Sequence, residues 1–195
     1  MASKGLALDP NSAVLHQDKG FILYAQGGRL DESIAEFERT LALDPSIVSA
    51  VAGLGSDYLY LGQFEKSLEF FDKAIRLSPR DPALTFWFGA KARPYFGLKQ
   101  YDLAIEWARR AIAINPNNIP FAHAPLIAAL ALTGHEPEAH EALQRYLALP
   151  GGPKTIAAWK AFHKARGVNE HSDPRVLEYQ DRLLDGMRKA GMPEE

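Results

Sequence analysis

Residues 51–79 read VAGLGSDYLYLGQFEKSLEFFDKAIRLSP, and the spacing within that stretch decides the fold. Val51, Leu54-Gly55 and Tyr58 fall at helical intervals, Gly62 interrupts them, and Ser67, Phe71 and a closing Pro79 follow. The pattern predicts two helices joined by a tight turn at Gly62, a residue that adopts positive φ without steric cost. Small residues let paired helices approach, and bulky ones fill the space between pairs. A proline ends one unit before the next begins.

The closing segment recurs. LALDP at 41–45, IRLSP at 75–79 and IAINP at 112–116 end three successive units, and another LALDP stands at 6–10. Pro10, Pro45, Pro79 and Pro116 are 35, 34 and 37 residues apart. The first unit keeps Tyr24, Gly28, Ser33, Phe37 and Pro45, and the third keeps Tyr95, Tyr101, Ala104, Ala111 and Pro116. A fourth has Gly134, Ala139 and Leu143, with Gly151 where the proline would stand. On these residues the chain resembles the tetratricopeptide-repeat (TPR) family over residues 5–151. The resemblance implies an all-α, TPR-type helix-turn-helix solenoid of about four hairpins. Three parts are expected: the tail of a truncated preceding repeat at 1–10, the solenoid at 11–151 and a C-terminal helical cap at 152–195. The repeat tail at the N-terminus suggests a chain cut from a longer protein.

Two regions depart from the pattern. The third unit is longer and carries Pro94 inside its first helix, which predicts a kink or break near Arg93. Its register stays open: either Phe88-Gly89 replaces Leu54-Gly55, or Tyr95 replaces Tyr58. Phe86-Trp87-Phe88 and Tyr95-Phe96 form the most aromatic stretch, to be read as a partner-binding ledge or as packing around an irregular helix. Beyond Gly151-Gly152-Pro153, Ile156, Trp159 and Phe162 share one helical face. A last helix is expected from Asp173-Pro174, an N-cap residue followed by proline at the first helical position, to Gly191.

Composition excludes several functions. Apolar residues make up 47% and charged residues 24% of 195, with a formal charge of -2, which offers no electrostatic reason for a nucleic-acid partner. No apolar run approaches the roughly 20 residues of a membrane span, so no membrane contact is expected and a cytoplasmic setting is. Without cysteine there is no disulfide, thiolate metal site or Cys nucleophile. No two of the six histidines stand four apart, and His123 takes the place of the motif Trp, a packing position. Gly27-Gly28 and Gly151-Gly152 read as helix connections rather than phosphate loops. No cofactor, metal or catalytic residue is expected.

The resemblance places the working surface on the concave face, lined by the first helix of each hairpin, where a protein or peptide ligand lies. Candidate groove residues are Asp18, Ile22 and Gln26, then Ser49, Ser56, Leu59 and Tyr60, then Phe86, Arg93 and Phe96, then Phe121, Ala128 and Leu132. Some TPR proteins hold a terminal carboxylate with a Lys, Asn and Arg clamp. Here only Lys19 and Arg93 are basic, which favours an apolar or aromatic anchor, or the chain's own C-terminal helix. Exposed solenoid ends leave open a homodimer.

Ser78-Pro79-Arg80-Asp81-Pro82 with Phe86-Trp87, Tyr101 to Trp107, and the tail Leu184 to Glu194 carry a second likeness. They resemble the C-terminal TPR region of bacterial signalling proteins with an N-terminal class III adenylate/guanylate cyclase domain. The resemblance implies a regulatory or scaffolding role, with any cyclase activity outside this chain. The alternative is a freestanding TPR adaptor whose groove is filled by its own C-terminal helix.

Overall fold

The computed structural model describes residues 6–117 and 121–195, so the expected repeat tail at 1–10 lies partly outside the described residues. Four antiparallel helical hairpins follow one another: α1 (Ala13–Gln26) with α2 (Leu30–Leu43), α3 (Val48–Tyr60) with α4 (Phe64–Leu77), α5 (Leu84–Gly97) with α6 (Tyr101–Ile114), and α7 (His123–Leu132) with α8 (Glu136–Ala148). Each helix packs on its hairpin partner and on the next hairpin, and α1, α3, α5 and α7 also touch in series. That row forms one face of an all-α solenoid, as expected. Two further helices, α9 (Ile156–Ala165) and α10 (Pro174–Lys189), follow it.

Glycine makes the spacing possible. Phe37 has no exposed surface, and a Cβ at Gly20 or Gly53 would lie 2.7 or 2.6 Å from its ring. The ring therefore fills a slot between its own hairpin's first helix and the next one. Phe64 occupies the same kind of slot against Gly97, at 2.8 Å, and Phe71 a looser one against Gly55, at 3.1 Å. Burying a large side chain this way contributes roughly 1.5–3 kcal/mol. The small residues of the second helices add a polar tie. Ser33 Oγ donates to the Gly20 carbonyl at 2.9 Å, and Ser67 Oγ to the Gly55 carbonyl at 2.6 Å.

Turn chemistry closes each hairpin. Gly28, Gly62 and Gly134 take positive φ, and Lys99 does so in the third hairpin at φ 62°. Lys99 stands 37 residues after Gly62, as Tyr95 stands 37 after Tyr58, so Tyr95 is the tyrosine equivalent. The extra residues lie in the connection between Pro79 and α5.

Of the kink or break expected near Arg93, the break does not occur: α5 runs unbroken through Pro94. Proline removes its own N–H from the helix and crowds the preceding turn, but it keeps its carbonyl, on which the Leu98 N–H closes the next turn at 2.9 Å. Its ring is buried in the array, where packing outweighs the local preference.

Asp173 caps α10 as expected, accepting from the Arg175 amide at 2.8 Å, and Gly191 ends it at φ 100°. The backbones of α10 and α7 meet where a Cβ on Gly186 would lie 2.7 Å from Ala128. Thr155 Oγ1 caps α9 by accepting from Ala158 N at 3.1 Å. The Pro193 and Glu194 carbonyls accept from the Ile156 and Ala157 amides at 2.9 and 3.0 Å, so the chain's last residues tie α9 to α10.

Gly53→Ala puts a methyl into the Phe37 ring. Although alanine is the better helix former, the substitution is expected to destabilise by about 1–3 kcal/mol, read from the midpoint of urea unfolding.

Candidate functional site

The concave face has an open half and a covered half. The open half is a hollow of about 560 Å³ over the N-terminal parts of α3 and α5. Its walls include Phe21 and Tyr24 from α1, Ser49 and Ser56 from α3, and Phe86 and Trp87 from α5. Phe21 and Phe86 are each 37% exposed, on opposite sides of an otherwise small-residue floor. Phe86 is held edge-on by Phe121, with centroids 4.9 Å apart. Gln17 Nε2 donates to Ser49 Oγ at 2.9 Å, joining α1 to α3 along one border.

The covered half lies under the C-terminal segment. Arg93 is 6% exposed, and its guanidinium sits over the Tyr60 ring at 4.9 Å and the Phe121 ring at 5.3 Å. His163 of α9 and Tyr179 of α10 close over it from the other side. The loop after α9 reaches back to the first hairpin: Arg166 Nη1 donates to the Tyr24 hydroxyl at 3.1 Å. There a Cβ on Gly167 would collide with the Gly28 nitrogen, so only glycine fits. From that point α10 runs back along the hairpin turns. Arg175 pairs with Glu65 at 2.8 Å, Lys99 with Glu178 at 2.8 Å, and Arg182 Nη2 donates to the Gly97 carbonyl at 2.8 Å.

The groove candidates divide along the same boundary. Ser49, Ser56 and Phe86 line the open hollow. Tyr60, Arg93 and Phe121 gather beneath α9 and α10, whereas Leu59, Phe96 and Ala128 are buried and presented to no ligand while those helices are in place. Leu132 is half-buried against the core. Asp18, Ile22 and Gln26 are exposed but do not line the hollow, because α1 turns its Gln17, Phe21 and Tyr24 stripe inward instead. That stripe also repeats at helical spacing, so spacing alone could not choose between the faces. Most of the aromatic stretch is packing. Trp87 and Phe96 are buried, and Phe88 meets Trp107 edge-on at 5.2 Å, so only Phe86 projects to a large extent.

Burial sets the unusual electrostatics. Asp57 on α3 has no exposed surface, and neither carboxylate oxygen has a hydrogen-bond partner. Desolvation, only partly offset by the Ser33 hydroxyl nearby, pushes its pKa up to about 7. Burial likewise pushes the Tyr24 hydroxyl up and lowers His123, whose Nε2 lies 2.8 Å from the Pro116 carbonyl. His123 thus packs, as its motif position implies. Glu36 is half-buried between His16 and Lys19 of α1, which draw its pKa down against desolvation. Among the described residues no three His, Asp or Glu side chains converge as a metal site.

A stack of antiparallel helical hairpins with a shaped concave face is the architecture of a helical repeat solenoid. The tetratricopeptide-repeat family model matches residues 20–82 and 52–119, together just over half of the chain, and the chain belongs to that family. Two Arabidopsis thaliana proteins share parts of it. The Protein CTR9 homolog is 43% identical over 54 residues, covering 28% of this chain and 5% of that protein. Hsp70-Hsp90 organizing protein 3 is 26% identical over 113 residues, covering 58% of this chain and 20% of that protein. The chain thus spans a twentieth and a fifth of these curated relatives. Among solved structures, YrrB, described as a TPR protein with an unusual peptide-binding site, has a TM-score of 0.59 at 21% identity, covering 97% of this chain and 95% of that one. TTC0263, a TPR protein of Thermus thermophilus, has a TM-score of 0.61 at 22% identity, covering 92% and 90%. At those identities the likeness is one of fold. Family membership makes the chain a non-enzymatic repeat module for protein interaction.

The Asp57 shift has a sign. A carboxyl whose folded pKa is raised lends stability that is complete below its unfolded value near 4 and is lost as pH rises through about 7. Asp57→Asn is therefore expected to remove a fall in melting temperature between about pH 5 and about pH 8 that the parent chain shows, measured by calorimetry.

Proposed function

We propose that the chain binds an extended peptide segment of a protein partner in the open half of its concave face, with an apolar or aromatic side chain seated between Phe21 and Phe86. The observation that carries this is the hollow itself. It combines two exposed aromatic walls, a floor lowered by Ala52 and Gly53, and the Ser46, Ser49 and Ser56 hydroxyls along its border. Such a surface buries an apolar anchor and offers hydrogen bonds to a peptide backbone, the division of labour that recurs in groove recognition. The described relative with a peptide-binding site agrees with a peptide ligand.

The passage Ser78 to Pro82 with Phe86-Trp87, the stretch Tyr101 to Trp107 and the tail Leu184 to Glu194 carry the likeness to cyclase-type proteins. On that likeness we assign the array a regulatory or scaffolding role in a bacterial, cytoplasmic signalling protein of that type. Reading the gene upstream of the Met1 codon tests the assignment. A frame open into a cyclase or comparable signalling domain supports it, and an immediate upstream stop codon contradicts it. End-to-end pairing of two copies is a separate reading, favoured by Val14 and Ile22, which are 59% and 44% exposed on α1. Sedimentation velocity decides it.

Ser49→Trp fills the hollow from α3. For a peptide selected on the folded chain from a random display library, this variant is expected to bind at least about tenfold more weakly, by calorimetry. Ala113→Trp, on the exposed side of α6, is expected to bind as the parent does. Equal affinity of Ser49→Trp and the parent, with an unchanged circular-dichroism melt, contradicts the site.

A further inference from the structure

We propose that α9 and the loop after it, residues 156–172, form a lid over the covered half of the concave groove, closed while His163 is neutral and released when that ring takes a proton. The proposal rests on the reading of the concave face as the binding groove and adds a means of regulating how much of it is open.

The lid's seat leaves several polar groups unpaired. The Tyr60 hydroxyl, Trp159 Nε1 and His163 Nδ1 are buried without hydrogen-bond partners, clustered about the contact between α9 and the groove. Two small voids of about 10 Å³ each flank Arg93 where α9 and α10 meet the array. Buried polar groups are ordinarily satisfied, and each that is not weakens the closed state. The lid's tie to the first hairpin is the Arg166–Tyr24 hydrogen bond, with the glycine contact at Gly167. Ile156 and Trp159 of α9 share a core with Leu183, Leu184 and Met187 of α10, all buried, but α10 is anchored in addition by the close approach of Gly186 to Ala128. Release of α9 breaks its two amide ties to Pro193 and Glu194, while the Gly186–Ala128 approach keeps α10 in place as the cap.

His163 is the group on which closure depends. It is 2% exposed and touches Trp159 and Phe162 of its own helix and Tyr179 of α10. Arg93 of α5 faces it, and Arg166 bears on it from the loop. The voids beside it are lined from α3 by Leu59 and Tyr60, from α10 by Val176, Tyr179, Gln180 and Leu183, and from α7 by Ala124 and Pro125, none of which is charged near neutral pH. The Asp57 carboxyl on α3 bears on Tyr24 instead. A proton on this ring thus meets desolvation and two cations with no carboxylate to offset them. Burial first, then Arg93 and Arg166, lower its pKa to about 3.

The sign follows from linkage. Released, the ring has its ordinary pKa near 6.5 and takes up the proton more readily than the closed form. Closure is undiminished above that value and weakens as pH falls toward about 3.

Hydrogen exchange read by mass spectrometry on the full chain, without peptide, tests the lid. After correction for intrinsic exchange, residues 156–172 are expected to open about tenfold more at about pH 5.5 than at about pH 7.5. Residues 48–77 are expected to show no such change. His163→Phe fills the same apolar slot without titrating and is expected to abolish the difference. An equal difference in that variant, or none in the parent, overturns the proposal. Where His163→Phe does not fold, the ring's own titration by NMR decides. A ring still neutral at about pH 5 in the closed form supports the lid, and one titrating near pH 6.5 there overturns it. No peptide enters these measurements, so a wrong assignment of the hollow leaves their outcome untouched.

Discussion

Phe37 can vanish from the surface only because Gly20 and Gly53, on two successive first helices, leave room for its ring. That close approach sets the distance between hairpins, and Phe64 against Gly97 repeats it further along. A single added methyl at any of these positions collides with an aromatic ring held from several sides. The curvature of the row α1, α3, α5, α7, and hence the depth of the hollow between Phe21 and Phe86, depends on it. Close-packed interiors transmit such strain rather than absorb it.

Much of this was legible in the sequence. Small and bulky residues recurring near a 34-residue period announce the hairpins, and Asp173-Pro174 with Gly191 marks the last helix at both ends. The glycines that matter most were harder to see. Gly20 and Gly97 lie off the motif's own glycine positions, and only the placement of Phe37 and Phe64 shows what they accommodate. Pro94 breaks no helix for a related reason: the local rule about proline speaks of an isolated helix, whereas α5 is held on several sides. The groove face of α1 was ambiguous by one residue, since the Asp18, Ile22, Gln26 stripe and the Gln17, Phe21, Tyr24 stripe have similar spacing. Which of them turns inward is decided by contact with α3, including the bond from Gln17 to Ser49.

The C-terminal segment could be foreseen as helical but not located. Its path, from hairpin four across the groove to Gly27-Gly28 and back along the turns, links residues as far apart as Tyr24 and Arg166. Pairings of that range leave no local trace. The outcome lies between a simple end cap and a filled groove. The segment covers Tyr60, Arg93 and Phe121 and leaves Ser49, Ser56 and Phe86 accessible. A solenoid of this family presents a long concave surface; here the part around Tyr60, Arg93 and Phe121 is given over to the chain's own tail.

A photo-crosslinking amino acid built into the chain tests that division most directly. With a bound peptide present, the probe at Ser49 is predicted to capture it, and the same probe at Ala113 on α6 is not. Capture at Ala113 with none at Ser49 would contradict the account, because the ligand would then lie outside the face that the Phe37 and Phe64 packing shapes.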